Sequence, residues 1–223
     1  MSKRRTRWCL PLLAAVLLWT AGAVNGYLLV PGMSMPAAEE KWQSLFDGKT
    51  LGSWKSTEFG GEGRVTVSNG QINLEAGATL TGITWSGGEL PKTNYEISLE
   101  AKKMSGNDFF CGFTFPVGKS SCSLILGGWG GGIVGLSSIN GMDASENETT
   151  QVMDFPTNRW YRVRVRVTKT KIEAWLDDQS IIDVVTTGKR ISIRPEVDLS
   201  QPLGVATWMT GAAIREIKLR RLD

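Results

Sequence analysis

The chain has 223 residues, 41% of them hydrophobic and 21% charged, with nine Trp, 26 Gly, eight Pro and no His. That length supports one sizeable core rather than two large domains. The absence of His removes Ser-His-Asp and Cys-His catalysis, His-ligated zinc and a His proton shuttle. The net charge of +3 is unevenly placed: Lys3, Arg4, Arg5 and Arg7 stand in the first 23 residues with no acid, leaving 21 basic against 22 acidic groups elsewhere. So neutral a body lacks the basic surface that nucleic acid requires, and no nucleic-acid partner is expected.

The first element in chain order is an address. After the basic cluster no charge occurs until Glu39, and Trp8 to Trp19 is a short apolar run followed by Ala21-Gly-Ala23. This layout predicts a signal peptide over residues 1–23. The alternative is an uncleaved anchor, because Trp8 to Val30 is long enough to span a bilayer. Either way the body is exported, to the periplasm, the cell surface or the medium, and touches a membrane only through this segment. Residues 24–40 read as a flexible lead-in, and one folded domain is expected over 41–223.

The body is patterned as strands almost throughout. Along 94–103, Tyr95, Ile97, Leu99 and Ala101 share one face and Glu96, Ser98, Glu100 and Lys102 the other, the period-two alternation of a half-buried strand. Next, Cys111 and Cys122 flank Pro116-Val-Gly-Lys-Ser120, a hairpin loop; facing cysteines in an oxidising compartment predict a disulfide. In the glycine cluster after this hairpin, Gly130-Gly-Gly132-Ile-Val-Gly135 spells a nucleotide-binding motif but precedes a strand-like run and no helix, so it holds no phosphate. It is followed by Asn140 to Thr149, which carries Asp143, Glu146, Glu148 and a glycosylation sequon at Asn147-Glu-Thr149.

From Trp160 to Thr168, Tyr161, Val163, Val165 and Val167 point inward, and Arg162, Arg164 and Arg166 form a solvated outer row that discourages edge pairing. Residues 171–177 and 180–185 make a hairpin about Asp177-Asp-Gln179, and 213–222 suits a closing strand. The sum is an all-β protein of two packed antiparallel sheets. Trp54, Trp160 and Trp175 lie in or beside patterned strands and are expected in the core.

Trp42-Gln-Ser-Leu-Phe-Asp-Gly-Lys-Thr-Leu-Gly-Ser-Trp54 closely resembles the opening signature of the 3-keto-disaccharide hydrolase (3-keto-glucoside lyase/hydratase) family. Arg159 to Val165, Ala174 to Asp178, Leu203 to Trp208 and Ile214 to Leu219 are similar to its late strands. The resemblance implies a concanavalin A-like jelly-roll sandwich in a secreted protein that acts on carbohydrate. In the middle, 106–115, 122–132 and 208–211 depart from the family's common pattern, and only Asn107 and the glycines carry over.

The resemblance implies a hydrolase or lyase acting on 3-keto-glycosides. In that chemistry a base removes the C2 proton acidified by the ketone, an acid assists the leaving group, and a cation or donors stabilise the enolate. Without His, the acids of the 140–149 loop, Asp143, Glu146 and Glu148, are the catalytic candidates. The same oxygens could instead hold a divalent cation such as calcium, although their spacing is not that of an EF-hand. Trp129, left uncovered by its glycine neighbours, is the candidate sugar platform, with Trp208, Asn107 and Asp108 lining the same groove. A non-catalytic carbohydrate-binding module and a surface interaction domain remain the other readings.

Overall fold

The structure is a computed structural model and describes residues 41–222. The expected signal or anchor and the whole of the 24–40 lead-in lie outside the described residues. Fifteen strands follow one another: β1 (Gln43–Ser44), β2 (Trp54–Ser56), β3 (Val65–Ser68), β4 (Gln71–Leu74), β5 (Leu80–Trp85), β6 (Tyr95–Ser105), β7 (Cys111–Val117) and β8 (Ser120–Gly127). They continue with β9 (Ile133–Ser137), β10 (Gln151–Val152), β11 (Trp160–Val167), β12 (Lys171–Leu176), β13 (Gln179–Val185), β14 (Gly204–Trp208) and β15 (Gly211–Arg221). No helix among the described residues is long and apolar enough to cross a membrane.

The strands form two antiparallel sheets. One runs β13-β12-β11-β6-β15-β4-β3, with β1 paired to the far half of β15; the other runs β10-β9-β8-β7-β14-β5-β2. A bulge between Arg215 and Lys218, with Glu216 in the left-handed region, bends β15 so that its two halves serve β4 and β1. Alternation dictates the core. Tyr95, Ile97, Leu99 and Ala101 of β6 and Tyr161, Val163, Val165 and Val167 of β11 meet Phe113, Phe115, Leu124, Leu126, Val134 and Leu136 of the second sheet, all buried in one cluster.

Three expectations need correction. Trp54 is buried in the core, its indole N–H donating to the Leu45 carbonyl, but Trp160 and Trp175 are half-exposed on the outer side of the first sheet. There, Arg215 lies 4.0 Å from the ring of Trp160 and Arg164 3.8 Å from that of Trp175. Nor is the arginine row simply solvated. Arg164 and Arg166 donate to one oxygen of the fully buried Glu96 at 3.0 and 2.7 Å, and Arg220 donates to the other at 2.8 Å. Burial pushes the Glu96 pKa up, but the bonds from Arg166 and Arg220 and their charges outweigh it, holding the carboxyl below its ordinary value.

The third correction is the disulfide. The β7–β8 turn is centred on Gly118-Lys119, so Cys111 faces Leu126 and Cys122 faces Phe115. The cysteines are therefore offset by four residues, about 13 Å at ~3.3 Å per residue, well beyond the roughly 7 Å that a disulfide spans. Both are buried free thiols, pushed up to about 12 by burial.

Candidate functional site

The outer face of the second sheet is rich in small residues. Gly82, Gly112, Gly135 and Ala206 alternate with the core positions, and several glycines are needed for close approach. A Cβ on Gly112 would meet the Phe109 ring at 2.9 Å, and one on Gly135 the Ala144 carbonyl at 2.8 Å. Loops can therefore lie directly on the sheet. The segment 189–202 crosses this face as a strap. It is tied to the β9 end by Ser192–Ser138 and Arg190–Asn140 backbone bonds and to β5 by the Thr84 hydroxyl, which donates to Leu199 O at 2.8 Å. Val197, at the heart of its short 3-10 turn Pro195–Ser200, packs on Leu80 and Ala206 together with Phe109, Ile193 and Trp208.

Between the strap and the turns at one end of the sheet lies a pocket of about 220 Å³. Its floor is Ser123, Ile125 and Ser137; Arg194, Glu196 and Val197 come from the strap, Asp108, Phe109 and Trp129 from the turns, and Trp208 from the end of β14. Trp129 is 44% exposed and stands at φ 48°, ψ 57° between left-handed glycines at 127, 130 and 131. A bulky residue in that region is strained, and such strain gathers at binding sites. Three neighbouring glycines let the chain reverse there without covering the indole.

The pocket's charges are mutually engaged. Arg194 forms a fork with Glu196 (2.7 and 3.2 Å) and also donates to Asp143. Asp143 accepts from Ser138 at 3.0 Å and Ser137 at 3.3 Å. The fork holds Glu196 below the usual carboxylate range and raises Arg194 further. Asp108 accepts from the backbone N–H of Phe109 at 2.7 Å and of Gly130 at 3.3 Å.

The fold thus brings Trp129, Trp208 and Asp108 into one pocket, with Asp143 just behind Arg194. Asn107 is exposed at the rim, packed against Gly131. Glu146 and Glu148 are absent from the lining: both are exposed, and Glu148 is ion-paired with Lys189, which holds its carboxyl below the ordinary value. Among the described residues no three His, Cys, Asp or Glu side chains gather as metal ligands.

The sequon is a staple. Asn147 is buried, its amide donating to Leu136, Met142 and Asp143 carbonyls while its oxygen accepts from both the N–H and the hydroxyl of Thr149. A glycan could not attach without dismantling the loop.

Sequence reasoning missed Arg194 and Glu196. The available signal was Arg194-Pro195 ahead of Glu196 and Asp198, a proline-initiated turn with acids in its first residues.

Comparison with known proteins agrees with this architecture. The family model described as a 3-keto-alpha-glucoside-1,2-lyase-like domain matches residues 41–220. No curated protein is similar enough in sequence to count as a match. Among solved structures, a Crh5 transglycosylase in complex with NAG superposes at TM-score 0.55 with 9% identity, over 82% of this chain and 84% of that one. A structure from work on endo-acting O-glycanases of the human gut microbiota gives 0.53 at 13% identity, over 81% and 100%. A protein of unknown function with a galectin-like fold from Bacillus subtilis gives 0.53 at 9% identity, over 77% and 90%. At these identities the likeness shows the fold, a jelly-roll sandwich.

Proposed function

Because the chain belongs to the 3-keto-alpha-glucoside-1,2-lyase-like family, we propose that it is an exported carbohydrate-active enzyme that opens 3-keto-glycosides by elimination in the pocket between Trp129 and Trp208. The observation that carries this reading is the Arg194–Glu196 fork, braced from behind by Asp143, lining the same pocket as the exposed Trp129. Aromatic rings take the apolar C–H faces of a sugar. A pocket of this size, below the ~300–1,000 Å³ of drug-sized sites, suits a single sugar ring.

The chemistry follows from the charges. A ketone at C3 acidifies the C2 hydrogen, and Glu196, kept ionised by Arg194, is a base ready to take it. The electron pair of the C2–H bond forms the enolate, whose negative charge develops beside the Arg194 guanidinium. As the pair moves into a C1–C2 double bond, the C1–O bond breaks. The proton on Glu196 passes to the departing oxygen, so the products are an unsaturated keto sugar and a free alcohol. Addition of water to that double bond would complete a net hydrolysis. Asp143 acts through Arg194, holding it from the side opposite Glu196. In this reading Glu146 and Glu148 take no part.

The test is to incubate the full chain with 3-keto-trehalose and follow the products by mass spectrometry. Glu196→Gln keeps the shape and removes the base, so it should lower the rate by about 10²–10⁴ with binding retained. One observation favours a second reading, a carbohydrate-binding module: every carboxylate lining the pocket already has a protein partner. If wild-type protein binds the sugar and leaves the glycosidic bond intact, that reading replaces the first.

A further inference from the structure

We infer that Asp108 is a positioning residue that sets the spacing of the two tryptophan walls without touching the sugar. This rests on the proposed sugar pocket and goes beyond it, since it separates the residue that shapes the site from those that meet the ligand.

Trp129 sits in the β8–β9 turn and Trp208 at the end of β14, and neither turn is fixed by the sheet ladder alone. Asp108, in the turn before β7, bonds to both. Its Oδ2 accepts from Gly130 N–H at 3.3 Å, immediately after Trp129, while its own N–H donates to the Thr210 hydroxyl at 3.1 Å, two residues after Trp208. The next residue completes the tie: Phe109 O accepts from Trp208 N–H at 3.0 Å, and Phe109 N–H is held by Asp108 Oδ1 at 2.7 Å. Two adjacent residues therefore fix both walls.

The carboxylate is chemically required for this. Two backbone N–H donors approach its two oxygens, and only an ionised carboxylate accepts at both positions; an amide accepts at one and presents N–H at the other. The strained Trp129 conformer needs such an anchor. A bulky residue at φ 48° relaxes toward negative φ unless its neighbours hold it, and Gly130, left untied, would let the indole swing from the pocket. With each oxygen already bonded to a backbone N–H, the Asp108 carboxylate is oriented by the two turns and not by the ligand. Its effect on affinity passes through the aromatic walls.

Asp108→Asn and Thr210→Val test this in the full chain, with 3-keto-trehalose as the probe. Asp108→Asn should raise the KM, or the Kd if the protein binds without turnover, at least tenfold. The kcat should stay within about threefold, and the thermal midpoint should drop by no more than ~2–4 °C, the equivalent of one lost interaction in a domain of this size. Trp emission should shift in Asp108→Asn and not in an Asp108→Asn/Trp129→Phe double variant measured against Trp129→Phe. Thr210→Val should weaken binding in the same direction and by less. A variant Asp108→Asn that binds as tightly as wild type overturns the inference, as does one that loses kcat with KM unchanged, which would make Asp108 a catalytic residue. Wild-type protein that neither binds nor cleaves the probe instead overturns the sugar-pocket reading beneath it.

Discussion

The two outer faces of the sandwich are built from opposite materials. On the first sheet, long charged and aromatic side chains saturate one another: three arginines converge on Glu96, and Arg164 and Arg215 cover Trp175 and Trp160. On the second, glycine and alanine leave room, a strap lies across it, and a strained Trp129 remains 44% exposed beside a pocket. Trp is thus present on both faces, yet among the described tryptophans only Trp129 is exposed. Aromatic content does not make a binding face. A face whose aromatics are already covered is closed, whereas on the other the left-handed glycines around Trp129 leave its ring uncovered.

The sharpest way to break the comparison is to open the closed face. Glu96→Ala leaves three guanidinium groups converging on a vacated site, and losing one partner of such a buried group costs about 3–5 kcal/mol. Chemical denaturation should show that loss, with sugar affinity per folded molecule unchanged, since the pocket lies on the other sheet. The same carboxylate predicts acid sensitivity. Its folded pKa lies below the ordinary 4.5, so its contribution is present above that pH and is lost as pH falls through the lowered value. Glu96→Gln should flatten this part of the stability–pH profile.

A somewhat smaller effect is expected behind the open face. Asn147→Ala leaves the Leu136, Met142 and Asp143 carbonyls without their shared donor and Thr149 without its acceptor. The expected cost is about 2–3 kcal/mol. Because the same loop holds Asp143, sugar turnover should fall as well, which distinguishes this variant from Glu96→Ala. Mass spectrometry of the exported protein should find Asn147 unglycosylated.

The smallest effect concerns the cysteines between the faces. Native protein should resist thiol reagents at Cys111 and Cys122, because burial keeps both protonated up to about 12, and unfolding without reductant should expose two reactive thiols at these positions. Detection of a Cys111–Cys122 peptide would show that the β7–β8 turn is centred elsewhere.

These regions also explain what was legible in the sequence. The alternations of β6 and β11 placed Tyr95 through Ala101 and Tyr161 through Val167 inward, and the structure agrees. The same parity put Trp160 with Arg162 and Trp175 with Glu173, on the outer face; weighing aromatic character above parity sent them wrongly inward. The disulfide failed for a comparable reason. The loop was rightly placed within 116–120, but facing positions must be equidistant from the turn, and about Gly118-Lys119 Cys111 lies seven residues before and Cys122 three after. At the site, the exposed Trp129 was legible from its glycines, which have a local conformational cause. The Arg194–Asp143 pair was not, because it joins residues 51 positions apart through a strap with no periodicity.

The most direct test of the central claim is Trp129→Ala, measured for both stability and sugar binding. The open-face account predicts that affinity for 3-keto-trehalose falls at least tenfold, near the 1.4 kcal/mol that corresponds to that factor, while the thermal midpoint moves by no more than about 2–4 °C. Affinity equal to wild type would contradict it. So would a collapse in stability of about 3–5 kcal/mol, the cost of removing a packed tryptophan, because Trp129 would then belong to the core and not to the pocket.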